Sequence, residues 1–205
     1  MINKFNGYDD IQVFEGGAAL EPGGYELRII GAKVEQFTSC QILKVAFDIV
    51  NNEKFGGFYS TRFKSAKAQN PNAKWGGVFD VFIPKDDGSE KDGFTKQAFK
   101  SFITSVEKSN DGYIWNWDEN SLKDKMFGGI FGREQFQTKE GELKFAVKCR
   151  FPRSIETIRT GNFSIPADKL LKEKDQIPTA PLNDMGAAYG TLNDFETIGS
   201  GEVPF

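Results

Sequence analysis

The most regular stretch of the sequence is Leu143-Lys144-Phe145-Ala146-Val147-Lys148-Cys149-Arg150-Phe151. Large apolar residues or cysteine occupy every second position, with Lys, Ala and Arg between them. This two-residue period indicates a β-strand that buries one face and exposes the other. The expected interior residues are Leu143, Phe145, Val147, Cys149 and Phe151, and the expected outward residues are Lys144, Ala146, Lys148 and Arg150.

Another strand is predicted just before this one, over residues 125–137, and a turn at 139–142 joins the two. Gly128, Gly129 and Gly132 interrupt the earlier strand, and glycine inside a strand marks a bulge or a tight bend. Such curvature is what small barrels require.

Two strands are predicted near the N-terminus, after the turn signal at residues 22–24. The first predicted strand covers residues 25–34. Apolar and charged side chains alternate over residues 25–29, and Gly31 is the expected position of a bulge. In residues 41–50 the apolar side chains again occupy alternate positions, beginning with Leu43.

A third strand is predicted over residues 55–64, where it would form a hairpin with the second strand across a polar turn. The following residues, 65–93, are polar and rich in glycine around an apolar island at 75–84. They are interpreted as a long loop, of a length that is usually functional or disordered.

From Phe94 the apolar spacing changes to that of a helix. Phe99, Phe102, Ile103 and Val106 stand three and four residues apart, which predicts an amphipathic helix of about four turns. Asn110 or Gly112 would end it.

The resulting order, β-β-β-α-β-β with curved strands, is that of a mainly β protein and predicts a five-stranded OB-type barrel with one amphipathic helix. Other small barrels and α+β sandwiches share the same order of elements. Residues 1–174 would form this domain together with an N-terminal arm. Residues 175–205, rich in Pro, Ala, Gly, Asn, Asp and Thr, are predicted to be a disordered, flexible acidic tail.

Composition argues against an enzyme. The chain has no His, and its two cysteines, Cys40 and Cys149, belong to no CxxC pair, so no zinc ribbon or redox motif is present. Asp48, Glu134 and Glu142 lie on or beside predicted strands, but no spaced motif links them into a nuclease site. We therefore predict no catalytic residues, no metal and no cofactor. The absence of a signal-like or membrane-length apolar run predicts a cytoplasmic protein without membrane contact, in the host cytoplasm if phage-encoded.

Charge divides the chain into two parts. Residues 1–174 carry all 26 Lys and Arg but only 24 of the 29 acidic residues, whereas residues 175–205 carry five acids and no base. Such asymmetry predicts a basic binding surface with an acidic extension.

Single-stranded nucleic acid is bound by cations along a groove and by flat rings on which bases stack. On the predicted third strand, Arg62 and Lys64 would face the ligand and Phe58 or Tyr59 would stack. The other expected DNA-binding residues come from the remaining strands and the long loop: Lys44, Trp75, Phe131, Arg133, Lys144, Lys148 and Arg150. Since none of these patterns is base-specific, we expect sequence-tolerant binding that weakens steeply with salt.

Aromatic and basic residues can also have a purely structural role. Phe47, Phe99, Phe102, Phe145 and Phe151 are assigned to the core, while Phe131 and Trp75 fit either the core or a stacking surface. The outward basic residues could equally form a solvated face of the barrel.

The last residues, Gly199-Ser200-Gly201-Glu202-Val203-Pro204-Phe205, resemble the C-terminal tip of bacterial and phage single-stranded-DNA-binding proteins. The resemblance implies that Pro204 and Phe205 enter an apolar pocket on a partner, beside Val203. The Phe205 carboxylate and Glu202 would meet basic residues at its rim. It also implies that an acidic tail can lie on the binding groove and compete with DNA.

The body is similar to small phage proteins thought to bind single strands. The similarity covers residues 20–170 and includes Phe55-Gly56-Gly57-Phe58, Phe127-Gly128-Gly129-Ile130 and Arg150-Phe151-Pro152-Arg153-Ser154. It implies single-stranded-DNA binding in phage replication or recombination, with partner proteins recruited by the tail and a possible homo-oligomer. The alternative is a phage structural or adaptor protein that binds protein rather than DNA.

Overall fold

The computed structural model describes residues 18–138 and 140–172, together with Lys4, Asn6 and Tyr8. The predicted tail, residues 175–205, and most of the predicted N-terminal arm lie outside the described residues. The fold is mainly β, and its strands and helices follow one another as β1 (Gly23–Gln36), β2 (Gln41–Val50), α1 (Phe58–Gln69), β3 (Val78–Ile83), α2 (Glu90–Ser109), β4 (Met126–Gln137), β5 (Leu143–Arg153) and α3 (Ile155–Arg159).

The five strands form one antiparallel sheet in the order β3-β2-β1-β4-β5. β1 is central: it pairs with β2 over Glu26–Gln36 and with β4 over Gly23–Arg28. The register with β2 shifts between Ile29 and Gly31, which places an irregularity at Ile30, one residue before the predicted bulge position. Within the described residues, β3 and β5 are the two edges of the sheet, and no ladder of hydrogen bonds joins them.

The third predicted strand was wrong. Residues 58–69 form helix α1, none of whose residues is fully buried, and the third strand lies instead in the apolar island of the predicted loop. The predicted hairpin between strands two and three at residues 51–54 is therefore also wrong. Helix α1 begins after Gly57, which has a left-handed φ of 69° that glycine adopts without strain.

The remaining elements lie close to their predicted positions. Helix α2 buries Phe99, Phe102, Ile103 and Val106, and its C-cap is Asn110, as predicted. The helix starts earlier than the apolar stripe indicated, because the Ser89 side chain caps it by accepting a hydrogen bond from the amide of Asp92 at 3.1 Å.

β5 is more exposed than its alternation predicted. Phe47, Phe99 and Phe102 are buried as expected, but Phe145 and Phe151 are 43% and 41% exposed, and Leu143 is exposed too. Their assignment to the interior was wrong because β5 is an edge strand. Only Val147 and Cys149 of its apolar side chains pack against the core.

Acidification is expected to weaken the contact between α3 and the sheet. Arg159 donates from Nε and Nη2 to the two carboxylate oxygens of Glu26, at 2.7 and 2.9 Å. This guanidinium holds the pKa of Glu26 below its ordinary value of 4.5. The pair therefore stabilises the folded state above that value, and the stabilisation is lost as the pH falls through the lower folded-state pKa.

Urea unfolding of wild type and Glu26→Gln at about pH 7 and about pH 3 measures this loss. The wild type should lose more stability between the two pH values than the variant, since only the wild type has a carboxylate to protonate. Equal losses in the two proteins would contradict the assignment.

Candidate nucleic-acid interface

A groove of about 890 Å³ opens between the two edges of the sheet. Helix α1 and β3 form one wall, and β4 and β5 form the other. The lining mixes aromatic and charged side chains from parts of the chain that are far apart in sequence. Five basic residues line it (Arg62, Arg133, Lys148, Arg150 and Lys169) against two acidic ones, Asp80 and Glu134.

Six of the eleven predicted DNA-binding residues line this one groove: Phe58, Tyr59, Arg62, Arg133, Lys148 and Arg150. The structure thus brings together residues from the first and second halves of the sequence. The residues on the β4 and β5 wall lie on strands, as predicted. Phe58, Tyr59 and Arg62, on the opposite wall, belong to a helix and not to the predicted strand.

Asp48 of β2 fixes the start of α1 against the sheet. Its carboxylate is buried and accepts hydrogen bonds from the backbone amides of Tyr59, at 2.9 Å, and Ser60, at 3.1 Å, and from the Ser60 hydroxyl. A carboxylate at a helix N-terminus satisfies amides that have no partner within the helix. Asp48 therefore has a structural role, and the register of α1 along the groove depends on it.

The aromatic rings on the α1 wall differ in what they can offer. The guanidinium of Arg62 lies 5.2 Å from the centre of the Phe58 ring, and the Phe58 ring is half-buried. Tyr59 is deeper: its ring meets Phe47 edge-on at 5.4 Å, and burial raises its pKa. Phe58 can present a ring surface to a ligand, whereas Tyr59 forms the floor of the groove.

The opposite wall repeats the pairing of arginine with phenylalanine. The guanidinium of Arg133 lies 5.2 Å from the centre of the Phe145 ring, and both residues line the groove. The guanidinium of Arg150 lies 5.7 Å from the centre of the Phe151 ring, but Phe151 is not part of the lining. Phe136 and Phe145, both exposed, line the groove. A guanidinium over an aromatic ring holds a positive charge beside a flat apolar surface.

Carboxylates partly neutralise the groove. Glu134 lies 3.3 Å from the ammonium of Lys148 and also pairs with Lys169. Burial alone would raise the pKa of Glu134, but these two ammonium groups outweigh it and hold the pKa below its ordinary value. Arg133 pairs with Asp168, and this guanidinium lowers the pKa of the Asp168 carboxyl.

Two predicted DNA-binding residues are buried: Lys44, which was expected to face outward, and Phe131, which takes the core position that was one of its two predicted alternatives. Lys44 lies about nine-tenths buried on β2, with its amine 3.4 Å from Asp80 and 3.7 Å from Glu35. Phe131 is fully buried and packs edge-on against Tyr25 at 5.1 Å. Both faces of β2 and of the first half of β4 are covered, so the side-chain alternation in these strands did not separate buried from exposed positions.

Three more predicted contacts lie outside the groove lining. The Trp75 indole donates to the carbonyls of Phe47 and Gly77, each at 3.1 Å, which ties the ring to the sheet. Lys144 pairs with Glu142 at 2.7 Å, and Lys64 lies exposed on α1.

Sequence reasoning missed Phe136, Phe145 and Lys169 as groove residues. If β5 had been recognised as an edge strand, Phe145 would have been predicted to be exposed. No local signal indicates Lys169, because it reaches the groove through pairing with β4, 35 residues earlier.

A second concavity of about 830 Å³ lies between α2 and the ends of β1, β2 and β3. Its lining is mostly apolar and includes Phe99, Trp115 and Trp117. Trp117 is 78% exposed and has a left-handed φ of 68°, which is uncommon for a bulky residue.

In the described part of the chain, no three His, Cys, Asp or Glu residues are grouped so that they could hold a metal ion. No helix among the described residues is long and apolar enough to cross a membrane. Comparison of the chain with protein-family models and with curated proteins found no match in either.

Proposed function

We propose that the groove between α1 and β5 binds single-stranded DNA without strong sequence preference. The observation that supports this most is the pairing of arginine with phenylalanine on both walls, Arg62 with Phe58 and Arg133 with Phe145. Sequence-tolerant binding needs this combination, because every base has a flat face and every nucleotide carries a phosphate.

In the proposed complex, phosphates contact the basic side chains and bases stack on the exposed rings. Arg62 and Arg150 show no carboxylate partner among the described residues. Arg62 is available to a phosphate, whereas Arg150 would first have to leave the carbonyl of Ala167. Phe145 offers the most exposed ring of the lining phenylalanines, followed by Phe136. This mode of binding does not require side chains that hydrogen-bond to the edges of particular bases, and the sequence contains no pattern typical of base-specific recognition.

The strand order supports an OB-type barrel as the finer description of the fold. β1 pairs with both β2 and β4, and α2 lies between the third and fourth strands. This is the connectivity of a five-stranded OB fold, which is often only partly closed. The proposed DNA groove coincides with the opening between β3 and β5.

The biological setting rests on the resemblance of the sequence. We propose that the protein acts in phage DNA replication or recombination as a binding protein and not as an enzyme. The tip of the chain, Glu202, Val203, Pro204 and Phe205, would recruit a partner protein. These four residues lie outside the described residues.

Titration with fluorescein-labelled oligo-dT across a range of salt tests the function. If three or four phosphates are contacted, the logarithm of the binding constant should fall with the logarithm of salt concentration with a slope of about −2 to −3. A chain ending at Lys174 is the second arm, and it should bind more tightly at low salt if the tail competes for the groove. Absence of binding at low salt would contradict the proposal.

The alternative, a phage structural or adaptor protein, is favoured by the second concavity. Its apolar lining and the exposed, strained Trp117 suit a protein ligand better than a polyanion. Under this alternative, neither the full chain nor the shortened one binds oligo-dT at any salt concentration.

A further inference from the structure

Residues 164–171, here called the strap, run along the edge of β4 beyond the point at which β1 stops pairing with it. The amide of Lys169 donates to the carbonyl of Arg133 at 2.9 Å, and the amide of Gln135 donates to the carbonyl of Lys169 at 2.8 Å. The Leu171 amide donates to the Gln135 side chain at 3.2 Å. The strap thus adds a short parallel pairing to a part of β4 where no other described segment pairs on that side.

The strap occupies two arginines of the groove. Asp168 faces Arg133 with both carboxylate oxygens, and the Nε–Oδ1 distance is 2.9 Å. Arg150 donates from Nη1 to the carbonyl of Ala167 at 3.2 Å. A carboxylate that accepts two parallel hydrogen bonds from a guanidinium uses the geometry with which the same guanidinium would bind a phosphate.

Apart from these contacts with β4 and the two arginines, the strap makes few contacts with the rest of the described structure. Six of its eight residues are exposed, including the apolar Ile165 and Leu170. Pro166 lies close against Gly132, and the Phe163 ring, just before the strap, packs against Gly24. A segment fastened mainly by exposed polar contacts opens at a lower free energy than the sheet beneath it.

We propose that the strap is an autoinhibitory contact that DNA displaces. Asp168 takes the place of a phosphate on Arg133, and the paired guanidinium lies over the Phe145 ring that a base would use. When a strand enters the groove, Arg133 exchanges the carboxylate for a phosphate and Arg150 is freed from Ala167. This inference rests on the proposed function, and it concerns residues other than the acidic tail.

The test is a titration of the full chain with labelled oligo-dT, comparing wild type, Asp168→Asn and Asp111→Asn. Asparagine keeps the shape of Asp168 but cannot hold Arg133 as an ion pair. Asp111 is an exposed acid just after α2, so its variant is the control for net charge. Hydrogen exchange at the amides of Lys169 and Gln135, with and without oligonucleotide, reports whether the strap leaves β4.

Asp168→Asn should bind about two- to fivefold more tightly than the wild type, which is the range that an exposed ion pair can supply. Asp111→Asn should show at most the smaller gain that any lost negative charge gives, and oligonucleotide should increase exchange at both amides. If wild type binds but Asp168→Asn binds equally or more weakly, the strap is a structural support and the inference is wrong. If no variant binds, the proposed function fails and the inference fails with it.

Discussion

Replacing Asp48 with Asn is expected to lower the free energy of unfolding by about 2–3 kcal/mol, because hydrogen bonds to a buried charged group are among the stronger ones in proteins. The Asp48 carboxylate accepts bonds from the amides of Ile49, Tyr59 and Ser60 and from the Ser60 hydroxyl. An amide nitrogen in place of one oxygen cannot accept, so at least one donor loses its partner.

Urea unfolding measures this effect, and two further variants calibrate it. Ser60→Ala removes only the hydroxyl bond and should cost about 1 kcal/mol. Glu53→Gln changes an exposed carboxylate in the turn before α1 and should stay within about 0.5 kcal/mol of wild type. A loss for Asp48→Asn no larger than that for Glu53→Gln would mean that Asp48 does not anchor the helix.

The role of Asp48 explains why the third strand was misplaced. The sequence of residues 58–64 is compatible with a strand or a helix, because Phe58 and Tyr59 fit the side-chain period of either structure. The helix is favoured by a carboxylate ten residues earlier on β2, which satisfies the first amides of α1. A contact of this kind is not visible in the local sequence, whereas the apolar stripe of α2 contains its own signal and was predicted correctly.

For strand β5, the sequence predicted the secondary structure correctly but not the burial of its side chains. Its alternation predicted the strand correctly, but alternation does not say whether a partner covers the inward face. Phe145 is exposed because β5 ends the sheet, and the order of strands depends on pairings between distant segments. The same dependence hid Lys169 and Asp168, which reach Glu134 and Arg133 across about 35 residues of sequence.

Four of the seven predicted basic residues nevertheless line one groove, although the element that carries one of them was predicted wrongly. Arg62 was placed on a strand and lies on a helix, yet it faces the groove with Arg133, Lys148 and Arg150. The reason is that charge and aromatic composition mark a surface even where the local structure is misread. Binding at that surface can therefore be tested residue by residue.

Phe145→Ala is expected to weaken binding of oligo-dT by about 1–3 kcal/mol, roughly five- to 150-fold, if the ring stacks on a base. The loss should be the same at every salt concentration, because a neutral ring releases no counterion. Arg62→Ala should behave differently: it removes one phosphate contact and makes the salt slope shallower by about 0.7. The two variants thus separate stacking from charge within one groove.

Matched variants outside the groove provide the controls. Phe94 is a 65% exposed phenylalanine on α2, and Lys91 is an exposed lysine on the same helix. Phe94→Ala should bind like the wild type, and Lys91→Ala should keep the wild-type salt slope. If Phe94→Ala weakened binding as much as Phe145→Ala, the loss for Phe145→Ala would not be specific to the groove, and stacking on Phe145 would be contradicted.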